Sequence, residues 1–549
     1  MDIIYDNPNE DIIERLLKIR QIDNFDSFLN PSFSNSWIDP YKLNDFEKAI
    51  NRIQKAISNN EKIIIFGDYD VDGITASYLL YIFISKFLNY KKISIRLPNR
   101  LTDGYGIKDF HLDQIKELGV NLVITVDNGI TSIKEAEYAK SIGLDLIITD
   151  HHKALNKIPP ADAVVNPQIS PNYQFKGIAG VGVAFKIVSV LMSKYFKKNS
   201  TKQKIIQYLM PIVAIGTVSD CVPLLEENRL FVKMGLNYIN NGYQIPSSLT
   251  NFLKYLNINQ QVNTFHIGFM LGPRLNAGGR MQSPYDSLNC LLFSGDKQLQ
   301  HLDSLEKLNN ERRQTQENVL KKAEQIIEKD KKILFAASEE LHEGIVGIVA
   351  GRITEKYNKP SAIFNIKQDE GVAVASLRGP EYFSVIDMLN YVGEYLERYG
   401  GHKQAGGLTV KLENLEKVQK LLEEYSNNTI KEEDLKKPIK IDTPIYQNEI
   451  NKEKLSQIDS FAPFGEGNPE PIFLINQIVF NNIEKVGKNG NGHLKAYASM
   501  NGTNFPVLFW GKGENLDFLQ TQKPTDLIGK VKKDNYNGGF FIDGIDKVD

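Results

Sequence analysis

An apolar run that ends in a cluster of carboxylates constrains this chain most. Lys62-Ile63-Ile64-Ile65-Phe66-Gly67 leads directly into Asp68-Tyr69-Asp70-Val71-Asp72-Gly73. Ile and Phe in succession, closed by Gly, mark a buried strand of a parallel sheet whose two faces are both covered. The residues that follow stand at the strand's carboxyl end, the edge where open α/β sheets bind ligands. Asp68, Asp70 and Asp72 repel one another there, and such crowding is costly unless cations neutralise it. Hard oxygen donors in this position point to divalent metal, with Mg²⁺ and Mn²⁺ the best matched ions.

The pattern recurs downstream. Segments Ile63–Phe66, 93–97, Leu122–Val126, 146–149 and Ala163–Val165 read as strands, separated in several places by helical stretches such as 76–88 and 132–142. Strands alternating with helices predict an α/β fold with a parallel sheet and right-handed crossovers. Residues 1 to 60 read as a helical lead-in. Residues 226–330 read as a helical connector, in which Leu302, Leu305 and Leu308 precede a polar, solvated stretch over 311–332. A second α/β unit opens at Lys332-Ile333-Leu334-Phe335-Ala336-Ala337, and residues 427–440 form a polar linker. Short β-like runs at 472–475, 494–498, 505–510, 526–531 and 540–545 then alternate with Gly and Asn turns, which predicts a small β-barrel. The expected domains are 1–225, 226–330, 331–430 and 440–549.

A net charge of −2 excludes a global basic field, so any phosphate binding must come from local Arg and Lys clusters. Cys221 and Cys290 cannot build a disulfide framework, which predicts a reducing compartment. Met1-Asp2-Ile3-Ile4-Tyr5-Asp6 lacks the basic and apolar regions of a signal peptide, and no apolar run reaches membrane-spanning length. A cytoplasmic location without membrane contact is expected.

Polar residues of one chemical type follow four successive elements of the first unit. They are the Asp68/Asp70/Asp72 group, Asp127 before Asn128-Gly129, Asp150-His151-His152, and Asp220 at the end of a segment whose strand or helix character the pattern leaves open. Any one of these Asp residues alone is an ordinary helix cap or turn residue, and Asp162 and His111 are read in that bland way. Gathered on one sheet edge, the carboxylates and imidazoles would not be stable without cations. Two metals sharing a carboxylate would account for them, clamping a phosphoryl group and lowering the pKa of a water. Gly177-Ile178-Ala179-Gly180-Val181-Gly182 is Gly-rich but follows no clear strand, so it reads as a tight turn into a helix over 183–195 and not as a nucleotide loop.

Asp70-Val71-Asp72-Gly73, Val126-Asp127-Asn128-Gly129, Asp150-His151-His152 and Ser219-Asp220 resemble the motifs of the DHH phosphoesterase superfamily. Further segments resemble its RecJ branch. These are Pro98-Asn99-Arg100 with Gly104-Tyr105-Gly106, Gly272-Pro273-Arg274-Leu275-Asn276-Ala277-Gly278-Gly279-Arg280, Gly400-Gly401-His402-Lys403-Gln404-Ala405-Gly406-Gly407 and Phe464-Gly465-Glu466-Gly467-Asn468-Pro469. The resemblance implies a single-stranded-DNA-specific 5′-to-3′ exonuclease of recombination and repair, working with two Mn²⁺ or Mg²⁺ ions and releasing 5′-mononucleotides. It implies a DHH domain, a DHH-associated domain and a C-terminal OB-fold.

The resemblance also implies roles for particular residues. Asp70 and Asp127 would hold one metal, and Asp72, Asp127, His151 and Asp220 the other. His152 would contact the scissile phosphate. Asp68 would supply or support a ligand, since Phe66 stands where some relatives carry His. Arg280, Arg378, Arg100, Ser376, Gly401 and His402 would bind substrate phosphate, a task that suits the planar arginine fork and close glycine backbone. Tyr497, Phe509, Trp510, Lys530, Lys532, Lys533 and Tyr536 are candidates for strand contact in the barrel. A monomer that meets single-strand-binding protein and a helicase completes the implied picture. A cyclic-dinucleotide or short-oligonucleotide phosphodiesterase, a pyrophosphatase and a non-catalytic DNA scaffold are the competing readings. The β-rich C-terminal part argues against the first two, and the full set of carboxylates against the third.

Overall fold

The computed structural model describes residues 2–100, 102–154, 157–436, 439–487, 492–500, 503–513, 519, 524–534 and 539–548. The first sheet is parallel throughout. Its strands are β1 (Ile63–Phe66), β2 (Ile93–Arg96), β3 (Leu122–Val126), β4 (Asp145–Thr149) and β5 (Ala163–Val165), in the order β2-β1-β3-β4-β5. β1 and β3 are buried along their whole length, as their unbroken apolar sequences require. In register, Phe66 lies opposite Thr125 and Val126 opposite Thr149, which brings the strand ends carrying Asp68, Asp127 and Asp150 to one edge.

Helices α1 (Val71–Ile82), α2 (Gly180–Tyr195) and α3 (Asn199–Ser219) cover one face of this sheet through Ala76, Leu79, Val183, Ile187, Leu209 and Val213. The connector contains α4 (Glu226–Asn240), a π-helical turn at His266–Leu271, α5 (Gly272–Met281) and the long α6 (Asp296–Ile326). α6 is not merely a solvated strut. Beyond Leu302, Leu305 and Leu308 its stripe continues through Gln316, Val319 and Ala323, and the last two enter the core of the second unit beside Leu334 and Ile345. The polar composition of that segment hides a narrow apolar face one residue wide per turn.

The second unit has strands β6 (Leu334–Ser338), β7 (Ser361–Lys367), β8 (Val372–Arg378), β9 (Arg398–Gly401) and β10 (Ala405–Lys411), ordered β9-β10-β8-β7-β6, with α7 (Glu343–Tyr357) after β6. The third unit is a barrel of β11 (Thr443–Pro444), β12 (Phe473–Val486), β13 (His493–Met500), β14 (Thr503–Phe509), β15 (Thr525–Asp534) and β16 (Gly539–Val548), closed by pairing between β12 and β15. Closure removes the sheet edges and the hazard they carry.

The lead-in divides between units. Leu43, Phe46, Ile50 and Ile53 pack on the first sheet, whereas Ile12, Leu16 and Phe28 lie in the barrel's core. Arg15 is fully buried there, with Nη2 2.8 Å from Glu449 and Nε donating to Thr443 at 2.8 Å. Removing one partner would strand a buried charge, so this pair fastens the lead-in helix Ile12–Ile19 to a segment more than four hundred residues away. No helix among the described residues is long and apolar enough to cross a membrane.

Candidate metal centre

The β1–α1 junction sets the first three carboxylates. Asp68 is buried and its Oδ1 accepts the Tyr69 amide at 2.8 Å. Asp70 caps α1, accepting the Gly73 amide at 3.0 Å, which satisfies one of the free donors of the first helical turn. A Cβ at position 73 would come within 2.5 Å of the Asp68 amide, so glycine is required where the chain doubles back. Asp72, one residue into α1, is buried, and its two oxygens accept the amides of Gly180 (2.6 Å) and Val181 (2.8 Å).

Those amides open α2, so the Gly-rich segment is not only a turn: its helix starts at Gly180 and cradles a carboxylate at the positive end of the helix dipole. A Cβ at position 180 would lie 2.7 Å from Asp127 Oδ1. Gly180→Val is therefore expected to displace Asp127 and weaken Mn²⁺ binding by about 10- to 100-fold, the usual scale for disturbed support of a metal ligand. Calorimetric titration with Mn²⁺ checks this, and affinity equal to the wild type would refute it.

Asp127 follows β3 with φ +61°, a left-handed conformation uncommon for a residue with a side chain. Its neighbour fixes it there. Asn128 Nδ2 donates to the carbonyls of Phe66 (3.2 Å) and Val126 (2.9 Å), and Thr125 Oγ1 donates to the Asn128 carbonyl at 2.8 Å. Such a strained residue persists where surrounding bonds over-determine it. Asp220 caps the C-terminus of α3, which resolves the open question about its segment in favour of helix.

Asp150 plays a part that the sequence did not disclose. It accepts the amides of His151 (2.7 Å), His152 (3.0 Å) and Ile130 (2.9 Å), and also Nδ1 of His152 at 2.8 Å. That last bond orients the imidazole of His152. His151 Nε2 lies 3.1 Å from Asp127 Oδ1, 3.5 Å from Asp220 Oδ2 and 3.9 Å from Asp72 Oδ2.

Potential ligand atoms fall into three sets, each within 4.8 Å: Asp68/Asp70/Asp127, Asp72/His151/Asp220 and Asp127/His151/His152. Asp127 Oδ1, His151 Nε2 and Asp220 Oδ2 are buried and have no hydrogen-bond partner. Buried polar atoms are rarely left so. Oxygen and imidazole donors that converge and remain unsatisfied fit divalent ions.

The electrostatics agree. Burial, and then Asp70, pushes Asp68 well above the carboxylate range and Asp72 up to about 7; burial also raises Asp127 and Asp220, with Asp72 the main neighbouring charge. Burial, with the charge of His152, lowers His151 to about 4, leaving it neutral and ready to ligate. Burial opposes charge on His152 too, but Asp150, Asp70 and Asp68 outweigh it and raise His152 to about 9. Phe66, in the place of a ligand in some relatives, is core and packs on the buried His111 ring at 5.0 Å.

The candidate substrate residues lie around this edge. Arg280 ends α5 beside Tyr69 and Asp70; burial and the charges of Arg100 and Arg312 lower its pKa to about 10. A cleft of about 360 Å³ joins Arg100 of the first unit to Ser376, Gly400 and Gly407 of the second. Residues 400–407 form a β-hairpin, with Gly400 opposite Gly407 and Gly401 opposite Gly406, while Ser376 pairs with Gly407 and Arg378 with Ala405. Ser376 and Arg378 are therefore fixed by sheet register, with α7 crossing close over both at Gly347. His402, at the hairpin tip, feels the charges of Lys153 and His152 across the cleft. In the barrel, Phe509 is core, Tyr497 and Trp510 are partly exposed, Lys530 and Lys532 pair with Glu470, and Tyr536 lies outside the described residues.

Tyr105 lies between the glycines of Gly104-Tyr105-Gly106. Its hydroxyl lies 3.4 Å from His152 Nδ1 and 3.4 Å from the Asp127 carbonyl. Arg312 on α6 adds an unforeseen charge beside Arg280, and its buried Nε has no acceptor.

Comparison with known proteins follows the same division. Residues 62–217 match the DHH family N-terminal domain, 330–428 the DHHA1 domain and 441–542 the RecJ OB domain. The single-stranded-DNA-specific exonuclease RecJ of Bacillus subtilis is 31% identical over 91% of this chain, which spans 62% of that protein. RecJ of Haemophilus influenzae is 30% identical over 89% of this chain and 86% of its own length. RecJ of Escherichia coli is 31% identical over 79% of this chain and 78% of its own length. The crystal structure of Thermus thermophilus RecJ in complex with Mn²⁺ superposes with a TM-score of 0.80 at 23% identity, covering 98% of this chain and 76% of that one. An exonuclease RecJ bound to manganese matches at 27% identity with a TM-score of 0.60, over 70% of this chain and 95% of that one. The three-part architecture, the convergence of carboxylates on one sheet edge and the extent of these likenesses establish that this chain belongs to the RecJ family of DHH-domain proteins.

Proposed function

We propose that this chain is a metal-dependent exodeoxyribonuclease that degrades single-stranded DNA from its 5′ end and releases 5′-mononucleotides, serving recombination and repair in the cytoplasm. The observation that carries the proposal is the convergence of unsatisfied donors on Asp127, beside an arginine- and glycine-lined cleft. The names and bound ions of the relatives support it. Asp68, Asp70 and Asp127 would hold one ion; Asp72, His151 and Asp220, with Asp127 adjoining, would hold the other. Bound Mn²⁺ or Mg²⁺ supplies Lewis-acid charge and a hydroxide nucleophile at neutral pH.

The chain's own residues do the rest. His152, kept cationic by Asp150, offsets charge developing on a phosphoryl oxygen. Arg280, Arg378, Arg100 and Ser376 receive a terminal phosphate, and the hairpin carrying Gly401 and His402 closes over it. A terminal phosphate held at a fixed distance from the ions sets both polarity and product length. We take the working unit as a monomer, meeting single-strand-binding protein and a helicase on DNA.

A panel of end-labelled substrates tests the reading. Expected are mononucleotides released from the 5′ end of single strands in Mn²⁺ or Mg²⁺, with a preference for a 5′-phosphate. Release from the 3′ end, or preference for duplex or cyclic dinucleotides, would sink it.

A further inference from the structure

Two loops distant in sequence serve the second ion position. Residues 177–181 reach three of its residues. The amides of Gly180 and Val181 hold Asp72, the Ile178 backbone hydrogen-bonds the His151 ring, and Gly180 lies so close to Asp127 that it excludes a side chain. Residues 220–225 carry Asp220 and turn the chain from α3 into α4. This turn is not a relaxed one. Cys221 takes a left-handed backbone, φ +58°, and Pro223 has no amide to donate.

Asn228 joins the two loops. It lies in the first turn of α4 and is wholly buried. Its Nδ2 donates to the Gly177 carbonyl at 2.6 Å and to the Pro223 carbonyl at 2.9 Å, so one amide hydrogen goes to each loop. Its Oδ1 is buried and has no hydrogen-bond partner among the described residues. A buried acceptor left unmet is costly, and an asparagine serving only its own helix would turn that oxygen to a helix amide. Here the acceptor is forgone and the two donors are kept. The flanking residues act in the same manner on other segments: Glu227 engages Lys186 and Tyr173, and Arg229 donates to the carbonyls of Phe28 and Ala462. The barrel bears on the turn from outside, where the Leu224 amide donates to the Glu466 carbonyl at 2.8 Å.

We infer that Asn228 is a positioning residue for the second ion: it fixes the spacing between the loop that holds Asp72 and His151 and the turn that carries Asp220. Ligands on separate loops bind an ion tightly only when their separation is set beforehand. The first ion position does not draw on this bond, since Asp68 and Asp70 stand in the β1–α1 junction and Asp127 follows β3. The inference rests on the two-ion reading proposed above and adds to it a residue that contributes no ligand atom.

Titration of the metal-free full chain with Mn²⁺, with free ion measured by electron paramagnetic resonance, tests it. The wild type should bind two ions. In Asn228→Ala one of them is expected to bind about 10- to 100-fold more weakly, the scale for lost support of a metal ligand, and the other as before. Asn228→Leu, which fills the space without the donors, should behave alike and so exclude a cavity as the cause. Tyr90→Phe removes a buried donor to the Glu61 carbonyl beyond the amino end of β1, and should lower the melting temperature without moving either ion. With end-labelled single strands, kcat of Asn228→Ala should recover as Mn²⁺ is raised, while KM stays at the wild-type value. Two ions bound as tightly in both Asn228 variants as in the wild type, or weakened as much by Tyr90→Phe, overturn the positioning role and leave the two-ion reading standing. Loss of the folded circular dichroism spectrum in both Asn228 variants marks a general structural contact and overturns it too. A wild-type chain that takes up fewer than two ions removes the two-ion reading, and this inference with it.

Discussion

Asp127→Ala is expected to reduce Mn²⁺- or Mg²⁺-dependent cleavage of single-stranded DNA by about 10³-fold or more, roughly 4 kcal/mol at the transition state. Asp127 and His151 each belong to two of the three potential ligand sets, and Asp127 links the Asp68/Asp70 pair to His151, 3.1 Å from its Oδ1. Its removal takes a donor from both candidate ion positions and leaves Asp220 and Asp72, at 3.5 and 3.9 Å, as the carboxylates beside His151 Nε2. The strained backbone at this position, φ +61°, adds a second consequence: alanine has no carboxylate to reward that conformation, so the Asp127–Asn128 corner should relax. Strand binding should persist, because Arg280, Arg378 and the hairpin 400–407 lie on other elements. Kinetics with end-labelled single strands, beside an equilibrium binding assay in EDTA, separate the two effects. Cleavage at the wild-type rate would remove the two-ion assignment, whereas loss of binding would mean that Asp127 organises the substrate cleft.

Metal-free protein is expected to lose stability as pH rises from about 5 to about 9, and Mn²⁺ to reverse the trend. The sign follows from which state holds more protons. Asp68, Asp127 and Asp220 are raised well above their ordinary range, Asp72 to about 7 and His152 to about 9. Between the ordinary and the raised values the folded state binds more protons than the unfolded chain, so stability falls with pH. His151 works the other way, since its lowering to about 4 makes stability rise with pH up to its ordinary range. One imidazole is outnumbered there by four carboxylates, and above that range only the falling contributions remain.

Bound ions reward the deprotonated forms that burial penalises, so the melting temperature gained on adding Mn²⁺ should be larger at pH 8 than at pH 5.5. At a hundred times Kd the gain is about 2.7 kcal/mol. Asp127→Asn supplies the control: without metal at pH 8 it should melt above the wild type, because one repelling charge is gone, and respond less to Mn²⁺. Thermal melts across pH with and without EDTA decide the matter. A flat profile with no Mn²⁺ response would show that the carboxylates are neutralised in some other way.

Much of this arrangement is legible in the sequence because its signals are local. Apolar runs closed by Gly or Asp mark the strands, parallel pairing aligns their carboxyl ends, and Asp68, Asp70, Asp127 and His151 therefore meet whatever the detailed packing. The barrel is legible for a similar reason, since alternating strands between Gly and Asn turns have few ways to bury one face. Other features leave no local trace. Gly177-Ile178-Ala179-Gly180-Val181-Gly182 reads as a turn, yet two of its amides hold Asp72, more than a hundred residues earlier. The stripe of α6 through Val319 and Ala323 is masked by charged neighbours, and the barrel-bound part of the lead-in is betrayed only by its contacts.

The sequence by itself determined which residues gather: a run of carboxylates and two imidazoles at the ends of parallel strands, chemistry that asks for divalent ions. The tertiary structure decided their division of labour. Asp150 was set to orient His152, Asp72 was tied to the start of α2, and Asp127 was placed at the meeting point by a left-handed backbone and a neighbouring glycine with no side chain to exclude it. The reason is physical. Strand and helix periodicity is written in neighbouring residues, but which oxygen is satisfied by an amide and which is left free depends on backbone brought together from distant parts of the chain.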